Sequence, residues 1–297
     1  MPNLSDYTTA TQQLLHDSTG SLYGSLTNYI NEARMRLALQ SECVRFLWTF
    51  NTATFGQVGG SYTAGNNTIN GPGTGTVLGS TIFSDDGLND FAPGTVVTAV
   101  TGPSTITVAP APLRTASGAT LTIYPPLQTA VGQEAYYYNG SVQIGNPLLA
   151  SFGLQSIVQI KSVAVNWGGI SGSSLVMLEQ WSFTKYQAFL GYYGVNLQGN
   201  PAVWTSYQNT VKMRPVPSSQ WPMQWDTICQ PIPLTSNTDV EAIPYPYTDS
   251  VKYYAAYLAL MNSQNPSNAD RMLTLYEKTM VEARQFTQRT FVPYIYR

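Results

Sequence analysis

The stretch from residue 51 to 127 constrains this chain most, because it lacks both charge and helical rhythm. Only Asp85, Asp86, Asp90 and Arg114 carry charge there. Thr95-Val96-Val97-Thr98-Ala99-Val100, Thr105-Ile106-Thr107-Val108 and Thr120-Leu121-Thr122-Ile123-Tyr124 are rich in β-branched and aromatic residues, as strands are. Gly102-Pro103-Ser104 supplies a turn between the first two. Earlier strands are expected near residues 61–64 and 76–83. Residues 51–127 therefore read as an all-β module, a small barrel or sandwich, inserted into a different body.

The flanks differ. From residue 5 to 48 the pattern is helical: Leu22, Leu26, Tyr29, Ala33, Leu37, Val44 and Leu47 recur at helical spacings, with Glu32, Arg34, Arg36, Glu42 and Arg45 mostly between them. A shorter helix precedes, ending near Asp17, and Gly20-Ser21 restarts the chain. Beyond residue 135, strands are expected at 136–144, 157–167, 174–178, 207–216 and 227–233, with a helix at 181–193. Two closing helices follow. Thr248 or Asp249 is expected to cap the first, which places Val251, Tyr254, Ala255, Leu258 and Met261 on one face. Asn265-Pro266-Ser267 breaks it, and the second carries Ala269, Leu273, Tyr276, Met280 and Ala283 on its apolar face, making an αα-hairpin. The fold class is α+β: long N- and C-terminal helices around a small β-sheet. Residues 1–50 and 128–297 form the body, 51–127 the inserted module and 286–297 an extended C-terminal arm.

Chemistry is hard to find in these residues. With one histidine (His16) and two cysteines (Cys43 and Cys229), the chain lacks the three or four close His and Cys ligands of a zinc site. His16 sits where a helix ends and reads as a solvated or capping residue. No serine lies in a G-x-S-x-G elbow. Gly71-Pro72-Gly73-Thr74-Gly75 lacks the Lys-Ser/Thr pair of a phosphate loop and reads as a turn cluster. Asp85-Asp86-Gly87-Leu88-Asn89-Asp90 does not match an EF-hand loop and reads as a solvated loop. Asn66-Asn67-Thr68 and Asn139-Gly140-Ser141 match the glycosylation pattern, which carries no weight without secretion. Paired carboxylates for glycoside hydrolysis stay open, since only a fold brings them together. The expectation is a non-enzymatic protein with no cofactor and no metal.

Charged residues make up 10% of the chain, against roughly 25% in ordinary soluble domains. With 20 tyrosines besides, this suits a surface that largely meets other protein. A net charge of −2 at pH 7 speaks against a protein that grips nucleic-acid phosphates. The first residues lack the basic and apolar segments of a signal peptide, and no run of about 18 apolar residues would span a membrane. Cys43 and Cys229 could meet, though a reduced cytosolic origin is the expected context.

The C-terminal third carries a family likeness. Ile243-Pro244-Tyr245-Pro246 runs into Asp249-Ser250-Val251-Lys252-Tyr253-Tyr254-Ala255-Ala256-Tyr257-Leu258-Ala259-Leu260, then Ala269-Asp270-Arg271-Met272, Tyr276-Glu277-Lys278 and Glu282-Ala283-Arg284. Together with Asn200-Pro201-Ala202-Val203-Trp204 and Arg214-Pro215-Val216-Pro217, this resembles the head-to-tail adaptor (connector) proteins of tailed bacteriophages. The likeness covers roughly two thirds of the chain; residues 51–127 do not align to that family's minimal helical body. It implies a virion protein, made in the host bacterial cytoplasm and placed at the head–tail junction. Such a protein forms a homo-oligomeric ring of about twelve subunits beneath the portal protein. It would meet the next tail component and pass double-stranded DNA without holding it. Four large apolar side chains crowd the end of the chain, so Phe291, Val292, Pro293, Tyr294, Ile295, Tyr296 and Arg297 are the expected portal-binding residues. Alternative readings are another virion part (tail tube, collar or baseplate) and a carbohydrate- or receptor-binding protein using the β module.

Overall fold

The computed structural model describes residues 2–17, 25–49, 56–71, 76, 78–84, 90–92, 95–138, 153–167, 175–193 and 197–290. It is a mixed α+β protein. In chain order the elements are α1 (Leu4–Leu15), α2 (Leu26–Ser41), β1 (Arg45–Trp48), β2 (Gly56–Tyr62), β3 (Thr68–Asn70), β4 (Thr81–Ser84), β5 (Val96–Gly102), β6 (Thr105–Ala109), β7 (Ala116–Tyr124), β8 (Ala135–Tyr137), β9 (Leu154–Asn166), β10 (Leu175–Met177), β11 (Glu179–Gln180), α3 (Phe183–Tyr193), β12 (Gln198–Gly199), β13 (Val203–Tyr207), β14 (Thr210–Arg214), β15 (Val216–Pro217), β16 (Met223–Pro231), α4 (Thr248–Asn262) and α5 (Pro266–Thr290). Besides a closed barrel there are two four-stranded sheets, β1-β16-β9-β10 and β11-β13-β14-β8, and the pair β12-β15. By compactness the chain divides into two units. The first is Met1–Arg45, Leu149–Ser156 and Ile228–Arg297; the second is Phe46–Leu148 and Ile157–Thr227. The barrel thus shares its unit with other strands, a division drawn elsewhere than the shift in composition.

In the first unit α4 packs against α1, α2 and α5. Small residues let the helices close in: Ala33 and Ala38 on α2, Ala255, Ala256 and Ala259 on α4, Ala269 and Ala283 on α5 are all buried. Helix α1 begins in a capping box, where the Asn3 side chain accepts from the Asp6 amide and the Asp6 side chain from the Asn3 amide. His16 closes it in the left-handed conformation, its amide donating to the Gln12 and Gln13 carbonyls. Helix α4 has no side-chain cap: Tyr247 holds the capping position, so neither Thr248 nor Asp249 serves. Its buried face runs through Val251, Tyr254, Ala255, Ala259 and Leu260, while Met261 is exposed. Pro266 opens α5, where its missing amide costs nothing. The Tyr247 hydroxyl meets Thr287 Oγ1 at 3.0 Å, so the start of α4 lies beside the end of α5 and the hairpin is antiparallel.

Further expectations need correction here. Helix α2 stops at Ser41, with Glu42 left-handed, and Arg45–Trp48 is a strand. Val44, Phe46 and Trp48 belong to the β-branched and aromatic types that prefer a pleated sheet, which overrides the helical spacing. Arg34, expected on a polar face, is only 1% exposed. It donates from Nε and Nη2 to both oxygens of Glu241 at 2.8 Å, and from Nη1 to Asn31 Oδ1 and the Ile232 carbonyl. Helix α5 also runs on through residue 286, where the extended arm was expected to begin. Pro293 disfavours helix near its own position, and nothing in 286–290 breaks a helix.

In the second unit, strands β2 to β7 close a barrel in the order β2-β3-β6-β5-β4-β7, every pairing antiparallel. Closure leaves no free edge strand. Ile69, Ile82, Val97, Ile106, Val108, Leu121 and Ile123 fill the interior with Tyr62 and Phe91. Gly60 leaves room for Leu121, which a Cβ there would strike. The Tyr62 hydroxyl donates to buried Asp90 Oδ2 at 2.5 Å. Among the described barrel residues Arg114 is the one exposed charge. In the sheet β11-β13-β14-β8, the strand expected at 207–216 is shorter, Thr210–Arg214, and forms a hairpin with β13: Gln208 and Asn209 have φ of 47° and 57° between them, the type I′ geometry. No helix among the described residues is long and apolar enough to cross a membrane.

Two outcomes follow for stability. Arg34→Ala leaves the Glu241 carboxylate buried without its ion partner and should cost about 3–5 kcal/mol, read as a lower urea midpoint in far-UV circular dichroism. Tyr62→Phe removes the donor from the buried Asp90 carboxylate. It should weaken the barrel by about 1–3 kcal/mol, read as faster hydrogen exchange in β2 to β7.

Candidate functional site

The expected portal-binding residues Phe291, Val292, Pro293, Tyr294, Ile295, Tyr296 and Arg297 lie outside the described residues, as do 72–75, 85–89, 139–150 and 168–174. Asn66 and Asn67 are described, and Asn66 Oδ1 accepts from the Thr68 amide to start β3. Cys43 and Cys229 are both free thiols. Burial pushes the Cys43 thiol up to about 11. Among the described residues no cluster of three or more His, Cys, Asp or Glu side chains is placed to hold a metal.

The described surface does contain a groove in the helical unit, of about 520 Å³, between α2, α4 and α5. Arg36 and Gln40 come from α2, Tyr254 and Tyr257 from α4, and Leu273, Tyr276, Glu277, Met280, Val281 and Arg284 from α5. The helical period sets these positions, since 36 and 40, or 273, 277, 280, 281 and 284, fall on one face. The floor is aromatic: Tyr254 lies 4.9 Å from Tyr276 and 5.4 Å from Tyr257, centre to centre. The Arg36 guanidinium sits 5.1 Å over the Tyr254 ring, a cation–π contact at the groove's edge. Gln40 joins the helices: its Oε1 accepts from the Tyr276 hydroxyl at 2.8 Å and its carbonyl from Arg284 Nη2 at 3.0 Å.

Burial is the largest cause that pushes the Tyr276 phenol up to about 12, followed by the neighbouring Tyr254. It raises Tyr254 as well. Deeper in the same unit the Tyr7 phenol is held far above its usual range, first by burial and then by the Glu241 carboxylate. These phenols stay neutral at ordinary pH, so the groove offers hydroxyl donors, ring faces, two guanidiniums and one carboxylate. That inventory suits a protein segment with aromatic and charged side chains. It contains no nucleophile beside a base. Sequence patterning does put Tyr254 and Tyr276 on apolar faces, but nothing in it brings Arg36 and Gln40 to α5.

More apolar side chains stand out from each unit. In the helical unit Met35, Leu39, Met261, Val281 and Phe286 are exposed, and Tyr245, 71% exposed, meets the Phe286 ring edge-on at 6.3 Å. In the second unit Tyr137 is 79% exposed. Register puts it on the same sheet face as Tyr207, two strands away, because Thr210 pairs with both. Phe183 stacks on Tyr207 at 3.9 Å with the rings parallel within 6°. The Lys212 ammonium lies 5.7 Å from the Phe183 ring.

Tyrosine in an unfolded chain ionises near pH 10, whereas Tyr276 keeps its proton up to about 12. Between those values the unfolded state has released a proton that the folded state retains, so stability is complete below about pH 10 and falls as pH rises through the window. Melting followed by circular dichroism should show the midpoint dropping there, and Tyr276→Phe should make the drop shallower.

No protein-family model matches the chain, and no curated protein matches it.

Proposed function

We propose that the chain is a structural virion protein, a subunit of the adaptor ring that joins the portal of a tailed-bacteriophage head to the tail and extends the DNA channel. The observation that carries this reading is exposed apolar surface in a chain with very few charges. Tyr137, Tyr245, Val281 and Phe286 are each more than half exposed, in a sequence with 10% charged residues. Surface of this kind is favourable when another protein covers it, and a ring subunit meets a neighbour on each side. The helices at the two ends of the chain serve as staves in this reading, and the C-terminal helical hairpin agrees with the likeness carried by residues 243–284. The barrel, whose described residues carry one exposed charge, faces outward in this reading. A near-neutral protein also suits a conduit, since each phosphate gripped by Lys or Arg would retard DNA. The role is structural, with no reaction and no cofactor, and residues 291–297 reach the portal.

Mixed with portal protein and imaged by electron microscopy, the chain should form a ring of about a dozen copies on it. A chain that stays monomeric beside the portal by sedimentation and imaging would exclude the reading. A chain ending at Thr290 should fold, with unchanged helical circular dichroism, yet fail to attach to portal-bearing capsids.

A further inference from the structure

Several features carry no proposal. Nothing in the structure shows what would cover the Tyr137–Tyr207 face, Cys43 and Cys229 are not joined in a disulfide, and the Asp239 carboxylate is satisfied by the Thr235 and Ser236 amides. The groove between α2, α4 and α5 goes further. It is long and tyrosine-floored, and Glu277 is the one carboxylate among its lining residues. It also runs along α5, the helix that leads directly into residues 291–297.

We propose that this groove is the seat of residues 291–297 of the same chain while the subunit is free, so that the subunit covers its own apolar arm. Reach is the first argument. Val281 lies about 14 Å back along the helix axis from Thr290. Seven residues span at most about 24 Å when extended, enough to turn round and lie beside Arg284 and Val281. Pro293 suits such a reversal, because a proline disfavours helix at the residue before it. Composition is the second argument. Phe291, Tyr294, Ile295 and Tyr296 match a floor of Tyr254, Tyr257, Tyr276, Met280 and Val281; Arg36 is engaged with the Tyr254 ring and Arg284 with the Gln40 carbonyl, which leaves Glu277 as the partner for Arg297. Connection to α5 supplies the third, since a tethered segment meets its groove at an effective concentration of about millimolar. The arm then becomes available only when a competing surface displaces it. This goes beyond the ring reading and concerns the isolated chain alone.

The test uses the chain without any portal, so its outcome is separate from that of ring assembly. A synthetic peptide of residues 291–297 is titrated into the chain ending at Thr290 and into the full chain. The truncated chain should bind it about tenfold more tightly, because in the full chain the tethered arm holds the groove in about nine molecules of ten. Glu277→Lys should weaken binding to the truncated chain, and a peptide with Arg297→Glu should restore it. Equal affinity of both chains, or no binding by either, overturns the proposal. A second measurement needs no truncation. Trypsin should cleave after Arg289 about tenfold faster in full-length Val281→Asp than in the native chain, since cleavage follows the population of the released arm. Position 281 is 52% exposed, so the substitution leaves the core alone. Equal cleavage rates also overturn the proposal.

Discussion

The guanidinium of Arg34 and the carboxylate of Glu241 hold the helical unit in one arrangement. They are separated by most of the chain, both buried, and joined by two hydrogen bonds of 2.8 Å. Removing two charges from water costs several kcal/mol for each, so such a pair adds little net stability over apolar residues of the same shape. Its value is specific. Any packing that separated the pair would leave a buried charge uncompensated, so alternatives are penalised more than the native state is favoured. Further hydrogen bonds surround the pair. Arg34 also donates to the Ile232 carbonyl, Glu241 accepts from the Ile243 amide, and Asn31 exchanges two bonds with the Leu234 backbone. The segment from 232 to 243 is thereby fixed on α2 without secondary structure of its own.

The second unit contains a similar device. Glu134 takes a hydrogen bond from Arg214 at 2.7 Å and one from the Tyr186 hydroxyl at 2.8 Å, linking β14, the approach to β8 and α3. Burial and the Glu134 carboxylate hold the Tyr186 phenol well above its ordinary value, so it remains a donor. In each unit one ion pair with a buried arginine is thus spent on internal registration.

Much of the architecture is written in local patterning. The barrel strands at 96–102 and 105–109 and the second half of 116–124 follow from β-branched runs and the Gly102-Pro103-Ser104 turn, and the closing hairpin from two apolar faces around Pro266. These are decisions between neighbours in sequence, where propensity, turn chemistry and periodicity agree. Periodicity misled where two signals competed. Val44 and Leu47 keep the helical spacing of α2, yet they belong to a β-branched and aromatic run that finds strand partners far along the chain.

What the sequence by itself determined is the α+β class, the uncharged β stretch and a composition suited to burial against other protein. Tertiary structure alone decided that the β stretch closes into a six-stranded barrel, that Arg34 is internal, and that Arg36, Gln40, Tyr254 and Arg284 meet along one groove. The reason is range. A helical face or a turn is chosen by residues three or four apart, whereas an ion pair or a groove depends on side chains brought together from more than two hundred residues away. No local preference of Arg34 foretells a partner at Glu241.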